Sequence, residues 1–340
     1  MVVNRVLRKV FGCFCLALII SATGVGLSVG TANAGAPSAK LTIAYTTVGG
    51  ILTPIWIPVE KGIFQKYGLD VSMKFVTTGP VVVSALIAGE IDIAAAGGEP
   101  IVAGILGGAE LTIIGFGSTT TPLSLFVSPT ISQFEQLRGA TLAVSRLTSS
   151  GAYMLKVGLR KHGLEPFKDV TIIQVGGIPE SFAALQGGNV QGAMLSPPTT
   201  YRAEAVGFRR LWNALGVEYP SLVIATRKSY LRDSQDVALR YLQALAEGIH
   251  IFKTDKEEAI KVMSKSTKVT DRKILENTYA DNSEVHSQTM EPTASGIKSI
   301  LETMAATNPK AASAKPEDFI DVRLVRTLED RGFFKKLTGK

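Results

Sequence analysis

A run of hydroxyl and guanidinium side chains follows a predicted strand near the middle of the chain. The segment 145–151 reads SRLTSSG and lies between a strand predicted over 141–144 and a helix predicted to start near Ala152. Its polar side chains include Arg146, Thr148, Ser149 and Ser150. Hydroxyls, a positive charge and the free N–H groups of a helix N-terminus suit a sulfonate, carboxylate or nitrate. The alternative is purely structural: a hydroxyl that caps the helix, beside a surface arginine.

Other candidate ligand-binding residues lie in loops at predicted strand ends, where open α/β sheets place their ligands. They are Thr46, Thr47, Gly49, Trp56, Gly98, Glu99, Gly177, Ser196 and Thr199. The glycines let a ligand approach the backbone closely. Trp56 is either an apolar wall of the site or part of the core. Glu99 either binds an amine of the ligand or caps the helix predicted to begin at Pro100.

Several kinds of chemistry are excluded by residue type. The two cysteines, Cys13 and Cys15, fall within a predicted signal peptide, so the processed chain has no thiol for catalysis, a disulfide or a metal. The three histidines have no partner at ligand spacing. No nucleophile elbow, dinucleotide loop or phosphate-binding lysine motif is present. We therefore predict no catalytic residue, no metal and no cofactor.

The N-terminal segment has the pattern of a secretory signal. Basic residues at positions 5–9 precede an uninterrupted apolar run at 10–20, and Ala32-Asn33-Ala34 matches a cleavage site after Ala34. A retained membrane anchor is the alternative, but the strongly apolar run is too short to cross a bilayer. Of the formal charge of +7, three positive charges belong to this segment, which contains no acid. The small remaining excess does not predict nucleic-acid binding.

The mature chain alternates strand-like and helical segments, which predicts an α/β fold with mostly parallel strands. Its second hundred residues repeat the first: Thr42-Ile43-Ala44 matches Thr141-Leu142-Ala143, and Tyr67-Gly68-Leu69 matches His162-Gly163-Leu164. The repeat predicts two similar lobes. We expect residues 35–122 and 226–340 to form lobe 1 and residues 123–225 to form lobe 2, with hinge crossings near 122–128 and 222–228.

Motifs that occur in order along the mature chain resemble a known family. They are EKGIFQKYGLDV at 60–71, ALIAGEIDIA at 85–94, LRG at 137–139, KHGL at 161–164 and PEDFID at 316–321. These segments resemble the signature of the nitrate/sulfonate/taurine class of periplasmic binding proteins for ABC importers, which are related to thiamine-precursor-binding proteins. The resemblance implies a type II two-lobed fold, with two Rossmann-like lobes, a two-segment hinge and a helical C-terminal part.

The resemblance also implies a function. We expect a monomeric periplasmic receptor that closes around a small anionic ligand and delivers it to an ABC permease with its ATPase. The membrane would be contacted only through the permease. Two alternatives remain open: binding or synthesis of a pyrimidine precursor of thiamine, and a sensing module that presents its closed form to a signalling partner. The cysteine-rich metal motif of the related pyrimidine synthases is missing from the mature chain.

Overall fold

Strands and helices alternate along the first two thirds of the chain, as the apolar runs predict. The computed structural model describes residues 38–76, 78–305 and 308–339, so the predicted signal peptide lies outside the described residues. The strands are β1 (Ala39–Tyr45), β2 (Leu69–Phe75), β3 (Ile93–Ala96), β4 (Leu111–Ser118), β5 (Ser124–Val127), β6 (Thr141–Val144), β7 (Thr171–Gln174), β8 (Gly192–Leu195), β9 (Arg209–Asn213) and β10 (Leu222–Arg227). The helices are α1 (Thr53–Glu60), α2 (Ile63–Lys66), α3 (Gly79–Ala88), α4 (Gly98–Leu106), α5 (Ser150–Lys161), α6 (Ile178–Gln186), α7 (Thr199–Ala205), α8 (Lys228–Asp233), α9 (Gln235–Thr254), α10 (Lys256–Thr267), α11 (Arg272–Val285), α12 (Ala294–Ala305), α13 (Pro309–Ser313), α14 (Arg323–Asp330) and α15 (Phe333–Thr338).

The strands form two five-stranded sheets of the same design. The first sheet has the order β2-β1-β3-β10-β4 and the second has the order β7-β6-β8-β5-β9. In each sheet the first three strands are parallel, and the fourth runs antiparallel to both of its neighbours. The match of strand order and direction confirms the internal repeat predicted from the sequence.

The antiparallel strand of each sheet is the one that the chain enters after leaving the other sheet. β5 follows β4 of the first sheet, and β10 follows β9 of the second. The two crossings are therefore residues 119–123 and 214–221. The first overlaps the predicted hinge near 122–128 only at residues 122 and 123, and the second ends just before the one predicted near 222–228. The predicted lobe boundary between Ala225 and Thr226 falls within β10, whose whole length pairs in the first sheet.

The two crossing segments are hydrogen-bonded to each other. The Tyr219 amide donates to the Thr119 carbonyl at 2.8 Å, and the Ala214 amide donates to the Leu123 carbonyl at 2.8 Å. The Ser221 hydroxyl donates to the Thr120 carbonyl at 2.5 Å. Any movement between the two sheets must therefore bend a paired double connection.

Helices cover both faces of each sheet because alternate strand residues point to opposite sides. In β1, Leu41 and Ile43 belong to a buried cluster with residues of α1 and α9, whereas Ala44 belongs to the cluster that includes α3 and α4. In β6, Leu142 packs with residues of α5, and Ala143 packs with residues of α6. The buried, nearly continuous apolar strands are those expected of parallel sheets.

The C-terminal third is helical and packs on the first sheet. After α11 the chain runs beside β4, where the Phe116 amide donates to the Met290 carbonyl at 2.8 Å and the Ser287 amide donates to the Gly117 carbonyl at 3.1 Å. This pairing fixes the end of α11 next to the strand that leads into the first crossing. None of the helices in the described ranges has the length and apolar composition needed to cross a bilayer.

Candidate ligand-binding cleft

A cavity of about 540 Å³ lies where the carboxyl ends of the parallel strands of both sheets meet. The loops after β1, β2 and β3 line it from the first sheet, and the loops after β6, β7 and β8 line it from the second. The first crossing contributes Thr121, Pro122 and Leu123. Carboxyl ends of parallel strands are the usual ligand-binding edge of open α/β sheets. The equivalent loops of the repeat thus meet at one site.

Most of the candidate residues predicted from the sequence lie in this cleft. The nine that line it are Thr46, Thr47, Gly49, Arg146, Thr148, Ser149, Ser150, Gly177 and Ser196. They come from both sheets and from four loops, those after β1, β6, β7 and β8. Tertiary structure therefore brings together residues that are separated by up to 150 positions in the chain, as the repeat requires.

The loop from Ser145 to Ser149 has a defined shape. The Ser149 hydroxyl caps α5 by accepting the Ala152 amide at 3.2 Å, and it donates to the Arg146 carbonyl at 2.7 Å. Ser149 therefore caps α5, as the structural alternative predicts for a hydroxyl of this loop. The same hydroxyl also fixes the backbone of Arg146, so capping and positioning of the arginine go together.

Arg146 is half-buried, whereas the structural alternative predicts an arginine exposed at the surface. Its Nε lies buried without a hydrogen-bond partner among the described residues. Glu180 is the one acidic side chain among the described lining residues, but it is exposed and forms no ion pair with Arg146. A buried guanidinium donor without a protein acceptor is costly unless a ligand supplies the acceptor.

Four helix N-termini open into the cleft. Their capping residues, Thr78 before α3, Gly97 before α4, Ser149 before α5 and Gly177 before α6, all line it. The first N–H groups of a helix lack intrahelical acceptors and carry partial positive charge. Together with Arg146, these helix ends make the cleft favourable for an anion.

The N-termini of α4 and α5 approach each other closely across the cleft. A Cβ atom at Gly97 would lie 2.6 Å from the Ser150 hydroxyl oxygen, so only glycine fits here without a shift. The Ser150 hydroxyl in turn accepts from the phenol of Tyr219 at 2.9 Å. Burial raises the pKa of Tyr219 far above its usual value, so this phenol stays protonated and remains a donor.

Four predicted site residues lie outside the cleft. The Trp56 ring packs edge-on against Tyr45 with centroids 5.3 Å apart, so it belongs to the core alternative. Gly98 is buried, and a Cβ there would come within 2.7 Å of Ile300 in α12. Thr199 is the buried first residue of α7.

Glu99 is the fourth residue outside the cleft. It lies in the first turn of α4, and its Oε2 is buried without a hydrogen-bond partner among the described residues. Burial raises the pKa of this carboxyl, and the positive charge of Lys156 partly opposes that rise. The position of Glu99 at the start of α4 agrees with the alternative in which it caps this helix, although no side chain forms a capping hydrogen bond there.

The cleft also contains residues that were not predicted. They include Phe75, Thr78, Gly79, Gly176, Glu180 and Asn282. The repeat could have indicated Gly79 as a cleft residue, because Thr78-Gly79-Pro80 after β2 corresponds to Gly177-Ile178-Pro179 after β7. No sequence pattern indicates Asn282, because it lies on α11 and reaches the cleft only through packing of the C-terminal helices. Within the described ranges, no cluster of three or more His, Cys, Asp or Glu side chains is placed to hold a metal.

Comparison with known proteins identifies relatives of this chain. YtlA of Bacillus subtilis strain 168, described as a candidate binding protein, is 26% identical over 252 residues, which is 71% of this chain and 73% of YtlA. The alkanesulfonate-binding protein SsuA of Xanthomonas axonopodis pv. citri, solved with MOPS bound, matches with a TM-score of 0.69 at 20% identity over 83% of this chain and 96% of SsuA. The periplasmic nitrate-binding protein NrtA of Synechocystis PCC 6803 matches with a TM-score of 0.72 at 16% identity over 87% of this chain and 90% of NrtA.

These structural matches confirm the predicted fold, that of a two-lobed periplasmic binding protein with a helical C-terminal part. The resemblance drawn from the sequence motifs is confirmed as well. A sequence model of the NMT1-like family matches residues 34–267, which includes every strand of both sheets. The chain belongs to the NMT1-like family.

Proposed function

We propose that this protein is an extracytoplasmic receptor that captures a small organic anion in the cleft and delivers it to an ABC permease with its ATPase. It binds the ligand without chemically changing it. The observation that carries the proposal is Arg146, which lines the cleft and whose buried Nε has no hydrogen-bond partner in the described part of the chain. Charge-assisted hydrogen bonds to an anion would satisfy this donor.

The surroundings of Arg146 favour the same class of ligand. Ser149 and Ser150 line the same cavity, and the N-termini of α3, α4, α5 and α6 open into it. The Ser150 hydroxyl, which accepts from Tyr219, keeps its own proton to donate. These donors are held in place before the ligand arrives, which lowers the cost of ordering them on binding. SsuA and NrtA, which share this fold, are named for binding alkanesulfonates and nitrate, and both ligands are anions.

The remaining parts of the proposal follow from the sequence. Residues 1–34 direct export, and cleavage after Ala34 releases a monomer into the periplasm, where SsuA of Escherichia coli and NrtA are described as residing. The first sheet and its C-terminal helices form one lobe, and the second sheet forms the other. The lobes close on the ligand by bending the paired crossings at 119–123 and 214–221.

The test is calorimetry of residues 35–340 with methanesulfonate, benzenesulfonate, acetate, benzoate and nitrate. Arg146→Ala should weaken binding of the best anion by about 2 kcal/mol or more, roughly thirtyfold, because a desolvated anion loses its charged partner. Arg160→Ala is the matched control, since Arg160 is an exposed residue of α5 that pairs with Glu165. Equal affinity of wild-type protein and Arg146→Ala for that anion, or no anion binding at all, would contradict the proposal.

A further inference from the structure

Large apolar side chains are exposed on the first-sheet side of the cleft. Val48 and Phe75 both line it, and each is 52% exposed. Ile51 and Pro100 extend the same apolar lining. Exposed apolar surface concentrated in a groove is typical of a ligand-binding surface, because water is displaced from it on binding.

The Phe75 ring is held in place from behind. It packs against the ring of Tyr45 with centroids 5.5 Å apart, and Tyr45 packs edge-on against Trp56. This row of aromatic rings supports one side of Phe75 while about half of its surface stays open. A supported ring with an exposed surface can stack against a flat apolar group with little loss of its own freedom.

The formal charges of the cleft lie on the opposite wall. Arg146, from the loop after β6, and Glu180, from the first turn of α6, belong to the second-sheet side, whereas the described lining residues of the first sheet and α11 carry no charged side chain. A ligand that contacts both walls therefore meets charged groups, Arg146 among them, at one end and apolar surface at the other.

The size of the cavity also exceeds what an inorganic anion requires. A volume of about 540 Å³ lies within the range of about 300–1,000 Å³ that is usual for sites of organic ligands. Nitrate or an isolated sulfonate group would fill a small part of it. A ligand with an organic body is needed to reach both walls.

We propose that the ligand is an amphiphilic organic anion with a flat apolar body, such as an aromatic sulfonate or carboxylate. Its anionic group binds at Arg146, and its body packs on Phe75 and Val48. Phe75 is then a residue that determines specificity between aromatic and small anions. This inference rests on the proposed function, because it needs an anion site at Arg146.

The experiment compares matched anions that differ only in their apolar body. Calorimetry of wild-type protein should give benzenesulfonate at least about tenfold higher affinity than methanesulfonate, and benzoate the same advantage over acetate. Because this comparison uses the unaltered chain, it does not depend on how a variant folds. Equal affinities within each pair would overturn the inference and leave the proposed function intact. No binding of any anion would overturn both.

A variant and its control then assign the effect to the ring. Phe75→Ala should lower benzenesulfonate affinity about tenfold and leave methanesulfonate affinity unchanged. Phe167→Ala is the control, since Phe167 is 60% exposed and does not line the cleft. An unchanged preference for benzenesulfonate in Phe75→Ala would show that Phe75 has no part in recognition. A similar loss in Phe167→Ala would equally overturn its assignment.

Discussion

The phenol of Tyr201 and the carboxylate of Asp281 form a hydrogen bond of 2.5 Å that joins the two halves of the molecule. Tyr201 lies on α7, which packs with the second sheet, and Asp281 lies on α11, which packs with α10 and the turn before α1. Burial and the neighbouring carboxylate raise the pKa of Tyr201, so the phenol remains a donor at physiological pH. Asn282, the next residue after Asp281, lines the cleft. One helix therefore contacts both the other lobe and the ligand cavity.

Tyr201→Phe removes this bond between lobes and keeps the ring. We expect this bond to form as the lobes close on the ligand, so its loss should lower ligand affinity by about 1 kcal/mol, roughly fivefold. Calorimetry with the best anion measures the change. Tyr279→Phe is the control, since the Tyr279 hydroxyl donates only weakly, at 3.4 Å, to the Lys253 carbonyl within the first lobe. Equal effects of the two substitutions would argue against a role for Tyr201 in closure.

Ser149→Ala should affect both folding and binding. Loss of the cap on α5 is expected to lower the free energy of unfolding by about 1 kcal/mol. Loss of the bond to the Arg146 carbonyl should also weaken anion binding, because the arginine is then less well positioned. Urea unfolding and calorimetry measure the two effects separately. Ser149→Asp restores a cap acceptor but adds negative charge, so it should recover stability while binding stays weak. If Ser149→Asp recovered both stability and anion affinity, the Ser149 hydroxyl would affect binding only by capping α5.

Buried His286 should make the protein less stable in mild acid. Burial, helped by Lys253, lowers its pKa from the usual 6.5 to about 4, and Nδ1 donates to the Gly117 carbonyl at 3.1 Å. Between these two values the unfolded chain binds a proton that the folded chain excludes, so stability is lost as pH falls from about 6.5 to about 4. We expect a loss of about 2 kcal/mol from this group between about pH 7 and about pH 5. Urea unfolding of wild-type protein and His286→Gln at both pH values measures it. An identical pH dependence in the two proteins would be inconsistent with this effect.

Glu99→Gln should stabilise the protein at neutral pH. Burial raises the pKa of Glu99, so protonation favours the folded state and stability is lost as pH rises through the folded pKa. An amide removes the cost of the buried charge, and its advantage should shrink as pH falls through the range where the carboxyl takes up its proton. Thermal unfolding across this range measures the difference. Glu110→Gln is the exposed control and should change stability by less than about 0.5 kcal/mol. A destabilised Glu99→Gln protein at neutral pH would mean that the charged form has a favourable partner.

Patterns in the sequence predict the α/β class, the repeat and most of the loops that line the cleft. Apolar runs such as 41–45 and 141–144 need burial on both faces, so they predict parallel strands regardless of what covers them. Once two similar lobes are inferred, their strand ends are expected to supply the binding loops, and Thr46, Arg146 and Ser196, predicted on this ground, line the cleft. These predictions depend on short local patterns and on their recurrence about one hundred residues later.

Which side chains of these loops face the cavity depends on packing between elements that are distant in sequence. Trp56 and Glu99 lie close in sequence to cleft loops, yet packing of α1 against the sheet and of α4 against its neighbours directs them elsewhere. The Phe75 ring packs against Tyr45, and Asp281 accepts a hydrogen bond from Tyr201 of α7. Asn282 lies on α11, whose end is held by pairing of the following segment with β4. The orientation of a side chain at an element's end depends on contacts with elements far away in sequence, and no local pattern encodes those contacts.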